Sequence, residues 1–258
     1  MKRYLMQVGA VILPFLVVGF LHAAHGAEWP VDAMNAQIDQ TNFLVNDNCS
    51  ATLIDAQQGY LLTANHCIKD QFVVIEREKI DDDGVVKKEK VRIAKPGTVS
   101  QLYFKATDEV QRNSYVFKIK LNDANLDLAL IQVQTKLTNA DSAPVSCDDP
   151  VRGETSYAVG NPFGVLYATV TKGIIASIRR NYRMIGVDTQ GENGLVQSTA
   201  PIEGGNSGGG LFNGNGEIIG VNVRGSAVNE TVALAVPLSD IKKFLTREGL
   251  NSLWSRCP

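Results

Sequence analysis

The stretch 204–223, GGNSGGGLFNGNGEIIGVNV, sets one serine inside a run of glycines and follows it with two short apolar segments. Glycine tolerates positive φ angles, so such a loop can turn backbone N–H groups toward one point beside Ser207. The apolar segments Leu211–Phe212 and Glu217–Val223 are separated by turn residues, which is typical of strands. The stretch therefore predicts a functional loop held by β-strands. A phosphate-binding loop is disfavoured because no Lys-Ser/Thr pair follows the glycines.

Short apolar or alternating segments recur on both sides of this loop. The other predicted strands are Ala51–Ile54, Tyr60–Thr63, Phe72–Ile75, Val85–Ile93, Tyr115–Lys120, Leu126–Val133, Tyr157–Val159, Leu166–Ile178, Met184–Val187, Leu195–Thr199 and Val232–Val236. Helical periodicity does not separate them, so the sequence predicts an all-β protein of sandwiches or barrels. The segment 137–150, rich in Asn, Asp, Ser and Pro, is the predicted linker. Leu238–Glu248 has helical spacing, with Ser239 predicted as its cap and Gly249 as its end.

The N-terminus has the layout of a secretory signal. Met1–Arg3 is basic, Leu5–Leu21 is mostly apolar, and Ala24-His25-Gly26 is a small-residue pattern, so cleavage is predicted after Gly26. An uncleaved membrane anchor is the alternative. The chain has 25 Lys+Arg, 27 Asp+Glu and a net charge of −2, without a basic block. This balance argues against nucleic-acid binding, and against stable membrane association once the signal is removed.

Four cysteines are present, at positions 49, 67, 147 and 257. None forms a C-x-x-C pair, which argues against zinc and thioredoxin-type chemistry. In an exported chain an even number of cysteines indicates disulfides, here two, with three pairings open. Four buried free thiols are the alternative. No metal and no cofactor are predicted.

His66 is the only histidine that remains after the predicted cleavage. It follows the strand-like Tyr60–Thr63, where a base would be well placed for proton transfer near pH 7, although a structural histidine is the alternative. Asp127 lies inside the apolar strand predicted over Leu126–Val133, a costly position unless a histidine N–H is its partner. An edge-strand aspartate facing water is the alternative. Ser207 also fits G-x-S-x-G, but α/β-hydrolases run serine, acid, histidine, and here no histidine follows.

Three motifs carry a family resemblance. Thr63-Ala64-Asn65-His66-Cys67, Asp127-Leu128-Ala129-Leu130 and Gly205-Asn206-Ser207-Gly208-Gly209 resemble, in this order, the catalytic motifs of trypsin-fold serine proteases. The segments 160–164, 169–175 and 216–222 are similar to those of the HtrA/Deg proteases of the bacterial envelope. HtrA proteins usually carry PDZ domains after the protease, whereas this sequence ends at Pro258. The cysteine after the histidine instead resembles digestive-type members.

The resemblance implies a fold of two six-stranded Greek-key barrels with the active site between them and a C-terminal helix. The expected division is signal 1–26, first barrel 27–138, linker 139–152, second barrel 153–237, and helix with tail 238–258. The resemblance favours the disulfide Cys49–Cys67, which leaves Cys147–Cys257. Loop-closure entropy assigns them about 3 and about 4.7 kcal/mol of stabilisation.

The resemblance also implies a catalytic triad of His66, Asp127 and Ser207, with the N–H groups of Gly205 and Ser207 as the oxyanion hole. The implied activity is a secreted or periplasmic serine endopeptidase acting on polypeptides. In zymogen-activated relatives an aspartate precedes the serine and pairs with a new N-terminus. Asn206 stands there in this sequence, so activity is expected without such cleavage.

The resemblance places Pro201 and Ile202 at the floor of the specificity pocket, and Val223, Arg224 and Gly225 along its wall. None is acidic, so cleavage is expected after small or medium apolar residues rather than Arg or Lys. Arg224 is long enough to reach an acidic side chain. Two other functions stay open, a catalytically silent binding or chaperone-like protein and an esterase on the same scaffold. The sequence also leaves the oligomeric state open.

Overall fold

A computed structural model describes residues 27–80, 86–104, 110–180, 194–225, 232–255 and 257 of the chain. The predicted signal over 1–26 and the predicted strand Met184–Val187 lie outside these residues. Within the described part of the chain, no helix has both the length and the apolar character needed to cross a membrane.

The first half of the chain forms one helix, a closed barrel and a hairpin. Its elements are α1 (Val31–Thr41), β1 (Asn42–Val45), β2 (Cys49–Asp55), β3 (Tyr60–Thr63), β4 (Phe72–Ile80), β5 (Val86–Ala94), β6 (Gly97–Phe104), β7 (Val110–Asp123) and β8 (Leu128–Val133). Six of these strands close an antiparallel barrel in the order β1-β2-β3-β8-β7-β6. β4 and β5 pair only with each other among the described strands, as a separate two-stranded sheet.

The second half forms another closed barrel and a final α-helix. Its elements are β9 (Thr155–Gly160), β10 (Thr169–Arg180), β11 (Leu195–Ser198), β12 (Gly210–Phe212), β13 (Ile218–Gly225), β14 (Ala233–Pro237) and α2 (Leu238–Thr246). The strand order around the barrel is β10-β11-β14-β13-β12-β9, again antiparallel. The all-β fold with two six-stranded barrels and a C-terminal helix is therefore confirmed. The exact domain boundaries stay predictions.

The two barrels share a continuous apolar core. Fully buried Phe43 and Phe117 belong to the first barrel, Phe212 to the second, and Phe244 to α2, and all four lie in the same cluster. Burial of a large apolar side chain contributes about 1.5–3 kcal/mol. Because this cluster spans both barrels, the two sides of the cleft are joined by one apolar core.

The strand prediction omitted β1 and β6, and the helix α1 was not predicted. The prediction that Ser239 caps α2 was wrong. α2 begins at Leu238 with Pro237 at the N-cap position, so Ser239 is already inside the helix, and no side chain caps this end. β14 runs into the helix without an intervening turn, which leaves no room for a capping residue. Gly249, at φ 71°, lies just beyond the end of α2 as expected.

The N-terminal segment before α1 is fastened to the second barrel by Trp29. This side chain is 5% exposed and packs edge-on against Tyr157, with ring centroids 5.7 Å apart, and against Phe212 at 5.2 Å. The Tyr157 hydroxyl donates to Glu28 at 2.7 Å, and Lys172 also bonds this carboxylate. A Cβ on Gly216 would lie 2.7 Å from the indole, so the turn at Gly216 is shaped to receive the ring.

We expect Trp29→Ala to lower the free energy of unfolding by about 3 kcal/mol, because it leaves a cavity against two aromatic rings. Urea unfolding of the mature protein measures this loss. Val31→Ala is the matched control, since Val31 is 64% exposed only two residues away and should change stability by less than about 0.5 kcal/mol. Equal effects of the two substitutions would contradict the anchoring role of Trp29.

Candidate active site

His66 lies just after the end of a central strand of the first barrel. β3 pairs with β2 and β8 and ends at Thr63, and a 3₁₀ helix over Asn65–Gln71 begins immediately afterwards. His66 lies in its first turn with a half-exposed side chain. The next residue, Cys67, is bonded to Cys49 at the start of β2. The imidazole is thus accessible to solvent, while its backbone is held by the end of β3 before it and by the Cys49–Cys67 disulfide after it.

Asp127 holds His66 through two hydrogen bonds. Its Oδ2 lies 2.7 Å from Nδ1 of the imidazole, and its Oδ1 accepts the His66 backbone N–H at 2.9 Å. The Asp127 carbonyl accepts the backbone N–H of Asn65 at 3.1 Å. The Asp127 side chain is only 18% exposed. One carboxylate oxygen therefore fixes the ring and the other fixes the backbone of His66, which leaves Nε2 facing away from the aspartate.

The prediction that Asp127 lies inside a strand was wrong. β8 begins at Leu128, and Asp127 occupies the preceding turn with a φ of 55°. This left-handed conformation is tolerated by aspartate far better than by the apolar residues that follow it. The turn ends the strand pairing, so the carboxylate reaches the histidine from a strand end and not from the middle of a sheet.

Asp123 builds the turn that carries Asp127. Its Oδ1 accepts the backbone N–H groups of Asn125 and Leu126, and its Oδ2 accepts a 2.7 Å hydrogen bond from Arg247 beyond the end of α2. Burial alone would raise the pKa of Asp123. The hydrogen bonds from Arg247 and from the two backbone amides outweigh this effect and lower the pKa.

Because folding lowers the pKa of Asp123, its contribution to stability is present at neutral pH and is lost as pH falls through the lowered pKa. We expect Asp123→Asn to reduce the free energy of unfolding at pH 7 by about 1 kcal/mol, since the amide keeps an acceptor for the turn but loses the ion pair. The difference from the wild type should shrink toward zero as pH falls through the lowered pKa of Asp123 and the carboxyl is protonated. Urea unfolding across this range measures it, and a constant difference would contradict the ionic origin.

Ser207 sits where the two barrels touch. Its carbonyl accepts the Ser50 backbone N–H from the first barrel at 2.8 Å, and Gly208 donates to the Asn222 carbonyl of the second barrel at 2.7 Å. A Cβ on Gly208 would approach the Ser50 carbonyl to 2.1 Å, so only glycine fits there. Gly208 also has a φ of 87°. The glycines therefore allow the loop to lie directly against β2.

The hydroxyl of Ser207 does not hydrogen-bond to His66 in this structure. It donates instead to the Val223 carbonyl at 3.3 Å. The two residues are close, since the Ser207 carbonyl lies 3.6 Å from Sγ of Cys67, and a ring nitrogen of His66 lies within 4.8 Å of that sulfur. The structure thus brings His66 and Asp127 into direct contact and places Ser207 beside them.

The backbone N–H groups of Gly205 and Ser207 donate to no other residue in the described parts of the chain. The Gly204 carbonyl, in contrast, accepts the Phe163 backbone N–H at 2.6 Å. The N–H and C=O of a trans peptide point in opposite directions. The Gly205 N–H therefore points away from Phe163 and is available to a ligand.

A buried polar network behind this loop was not predicted from the sequence. Ser50 Oγ donates to the Gly205 carbonyl at 2.8 Å and accepts the Asn161 backbone N–H at 2.8 Å. The Asn161 side chain bonds Asn42 at 3.0 Å and the Phe43 carbonyl at 3.1 Å. Asn161 belongs to the segment 160–164 that carried the HtrA resemblance, which is the signal that could have identified it.

The five residues predicted to bind substrate differ in exposure. Ile202 and Val223 are buried at 6% and 5% exposure, whereas Pro201 and Arg224 are exposed. A Cβ on Gly225 would meet the Ile202 carbonyl at 2.7 Å and its Cγ1 at 3.4 Å, so these two residues are neighbours. Of these residues, Val223 contacts Ser207 through its carbonyl, and Ile202 lies beside Gly225, two positions further along β13. Their roles in specificity stay predictions.

The structure contains two disulfides, Cys49–Cys67 and Cys147–Cys257, the pairing that the resemblance implies. The sulfur atoms of the first pair and a ring nitrogen of His66 lie within 4.8 Å of one another. Because both sulfurs are committed to the disulfide, neither provides the thiolate that a metal would require. The second pair ties the predicted linker to the C-terminus.

Comparison with known proteins identifies the family. Residues 49–221 match the family described as the trypsin-like peptidase domain, which is more than half of the chain. The chain belongs to the trypsin-like peptidase family. The matched range contains His66, Asp127 and Ser207 in the arrangement described above.

This trypsin-like peptidase has HtrA/DegP homologues, which confirms that resemblance. It is 29% identical over 202 residues to the periplasmic serine endoprotease DegP of Salmonella typhimurium, covering 77% of this chain and 35% of the relative. It is 33% identical over 194 residues to a probable periplasmic serine protease do/HhoA-like of Haemophilus influenzae, covering 73% and 34%. The chain thus spans about a third of the length of these curated relatives.

Solved structures show the same fold. The HtrA-type protease AlgW with tripeptide is 25% identical, with a TM-score of 0.60, and the match covers 83% of this chain and 62% of that one. The serine endoprotease from Yersinia pestis is 22% identical with a TM-score of 0.57, covering 85% and 67%, and supports the fold alone.

Proposed function

We propose that this trypsin-like peptidase is an exported serine endopeptidase, periplasmic or secreted, in which Ser207 is the nucleophile. The observation that carries the proposal is that Asp127 accepts hydrogen bonds from both the backbone and the ring of His66, beside a serine in a glycine loop. A merely structural histidine does not need both carboxylate oxygens and an accessible ring nitrogen. The curated relatives are named periplasmic serine endoproteases, which supports both the activity and the location.

In this mechanism Ser207 attacks the carbonyl carbon of a peptide bond. Nε2 of His66 accepts the hydroxyl proton and then donates it to the leaving amine. Asp127 keeps the Nδ1 proton on the far side of the ring and stabilises the imidazolium that forms. The acyl-enzyme is released when His66 activates a water molecule in the second half-reaction.

The N–H groups of Gly205 and Ser207 are the donors proposed for the oxyanion. The Gly205 N–H is held in place because the carbonyl of the same peptide is bonded to Phe163. Each such donor contributes about 2.7–4 kcal/mol to stabilisation of the transition state. No cofactor and no metal ion take part in this mechanism.

Substrate binding would also release the nucleophile. The Val223 carbonyl now accepts the Ser207 hydroxyl at 3.3 Å, a long hydrogen bond. A substrate backbone N–H bonded to the same carbonyl would compete for it. The hydroxyl would then be free to rotate about its Cα–Cβ bond toward His66.

The side chains around Ser207 support cleavage after small or medium apolar residues. Ile202 and Val223 are apolar, Gly225 has no side chain, and none of the five predicted pocket residues is acidic. A lysine or arginine of the substrate would therefore enter this site without a carboxylate partner there. Polypeptides, rather than nucleic acids or membranes, are the proposed partners.

Labelling with a fluorophosphonate tests the nucleophile, because this reagent modifies serines activated by a neighbouring base. We expect modification at Ser207, together with cleavage of a denatured protein mainly after apolar residues. Labelling without any peptide cleavage, but with turnover of esters, would instead support an esterase. Absence of both would support a binding or chaperone-like protein and contradict the proposal.

A further inference from the structure

In the described part of the chain, the edge of β13 that faces the nucleophile loop has no partner strand beyond Asn222. β12 pairs with β13 only as far as Val221, and the backbone of Asn222 is bonded to Gly208 and Gly209. On the other edge, β14 pairs with β13 through Gly225. Among the described strands, none pairs with Val223–Gly225 on the loop side, where the Val223 carbonyl points at Ser207.

An extended polypeptide can add to this edge in only one direction. Its attacked carbonyl must lie at Ser207, so the residue that supplies this carbonyl, P1, lies opposite Val223 and its N–H reaches the Val223 carbonyl. The residues before P1 must then run along Arg224 and Gly225, because Asn222 is already occupied by the loop. This register is antiparallel, with the preceding residue, P2, directly opposite Arg224 and the next, P3, opposite Gly225.

Directly opposite residues of an antiparallel pair project their side chains on the same face, with Cβ atoms about 4.5–5.5 Å apart. Arg224 is exposed, and within the described residues its guanidinium forms no ion pair or hydrogen bond. An exposed arginine beside a substrate side chain is suited to a carboxylate, which it can bind with two parallel hydrogen bonds.

We propose that Arg224 gives the peptidase a preference for an acidic residue at P2, one position before the residue whose carbonyl is attacked. This inference rests on the proposed function and adds a second determinant to the apolar P1 site. The enzyme is thus suited to segments in which Asp or Glu precedes a small apolar residue.

The test compares peptides that differ only at P2, with Asp, Asn or Lys before a common P1 valine. We expect kcat/KM for the Asp peptide to exceed that for the isosteric Asn peptide by about fivefold at low salt, and less at high salt. Arg224→Met, which keeps the length but not the charge, should bring the Asp/Asn ratio to about one. Arg224→Glu should reverse the preference, so that the Lys peptide becomes the faster one.

Lys69→Met is the matched control, because it removes an exposed positive charge from the 3₁₀ helix of His66 without touching β13. It should leave the Asp/Asn ratio at the wild-type value. Equal rates for the Asp and Asn peptides in an active wild-type enzyme, or a ratio that survives Arg224→Met, would overturn the role of Arg224. Failure to cleave any peptide, together with no fluorophosphonate labelling of Ser207, would instead contradict the proposed function.

Discussion

Replacement of Ser207 by alanine is expected to lower kcat/KM for peptide hydrolysis by about 10⁵- to 10⁶-fold, because it removes the only proposed nucleophile. Stability should change little. The hydroxyl makes a single 3.3 Å hydrogen bond to a carbonyl, and the loop is held by backbone contacts that alanine retains. The His66–Asp127 pair and the N–H groups proposed for the oxyanion also remain.

Initial rates on a peptide with apolar P1, measured beside fluorophosphonate labelling and thermal unfolding, check this expectation. Ser239→Ala is the matched control, since it makes the same substitution in α2, where the serine caps nothing. The control should keep full activity and labelling. Residual hydrolysis within about 100-fold of the wild type in pure, folded Ser207→Ala protein would contradict the assignment of the nucleophile.

Most of the barrel strands could be predicted because apolar segments bounded by turn residues determine them locally. Tyr60–Thr63 was predicted with its observed bounds, and β8 was misplaced only at its start. β1 was missed because four residues, all buried, carry too short a pattern to recognise. α1 was missed because only Ile38 and Thr41 are buried along its eleven residues. Its position depends on contacts with the barrel rather than on its own periodicity.

The candidate site was predictable where a motif carries the chemistry and unpredictable where tertiary contacts do. His66 and Ser207 stand in recognisable motifs, and the need of Asp127 for a partner follows from the cost of burying a charge. The sequence could not indicate that Asp127 leaves its strand for a left-handed turn, since Asp123, which builds that turn, is itself held by Arg247, 124 positions away.

The network of Ser50 and Asn161 shows the same limit. Their hydrogen bonds join residues more than a hundred positions apart, so no local sequence pattern predicts them. Their role can be recognised only from the structure, in which Ser50 of β2 bonds both the Gly205 carbonyl and Asn161, the residue after β9. Such residues position the loop without contacting substrate, which is why the chemistry of the motifs alone does not identify them.

Conversion of Asp127 to asparagine is expected to lower kcat by about 10⁴-fold with little change in KM. The carboxylate now faces Nδ1 of His66 at 2.7 Å and accepts its proton. An amide nitrogen in that place is a donor, so the imidazole must adopt the other tautomer, with its lone pair on Nδ1 and its proton on Nε2. His66 then cannot accept the proton of Ser207, although the amide oxygen can still hold the His66 backbone N–H and preserve the geometry.

Separate measurement of kcat and KM at pH 7 distinguishes this chemical effect from a loss of folding. Asp70→Asn is the matched control, because Asp70 is an exposed aspartate in the same 3₁₀ helix as His66 and should keep kcat within about twofold. A loss of less than about tenfold for Asp127→Asn would mean that His66 holds its catalytic tautomer without the carboxylate. The 2.7 Å contact would then be structural, and the base would have to be oriented by its backbone alone.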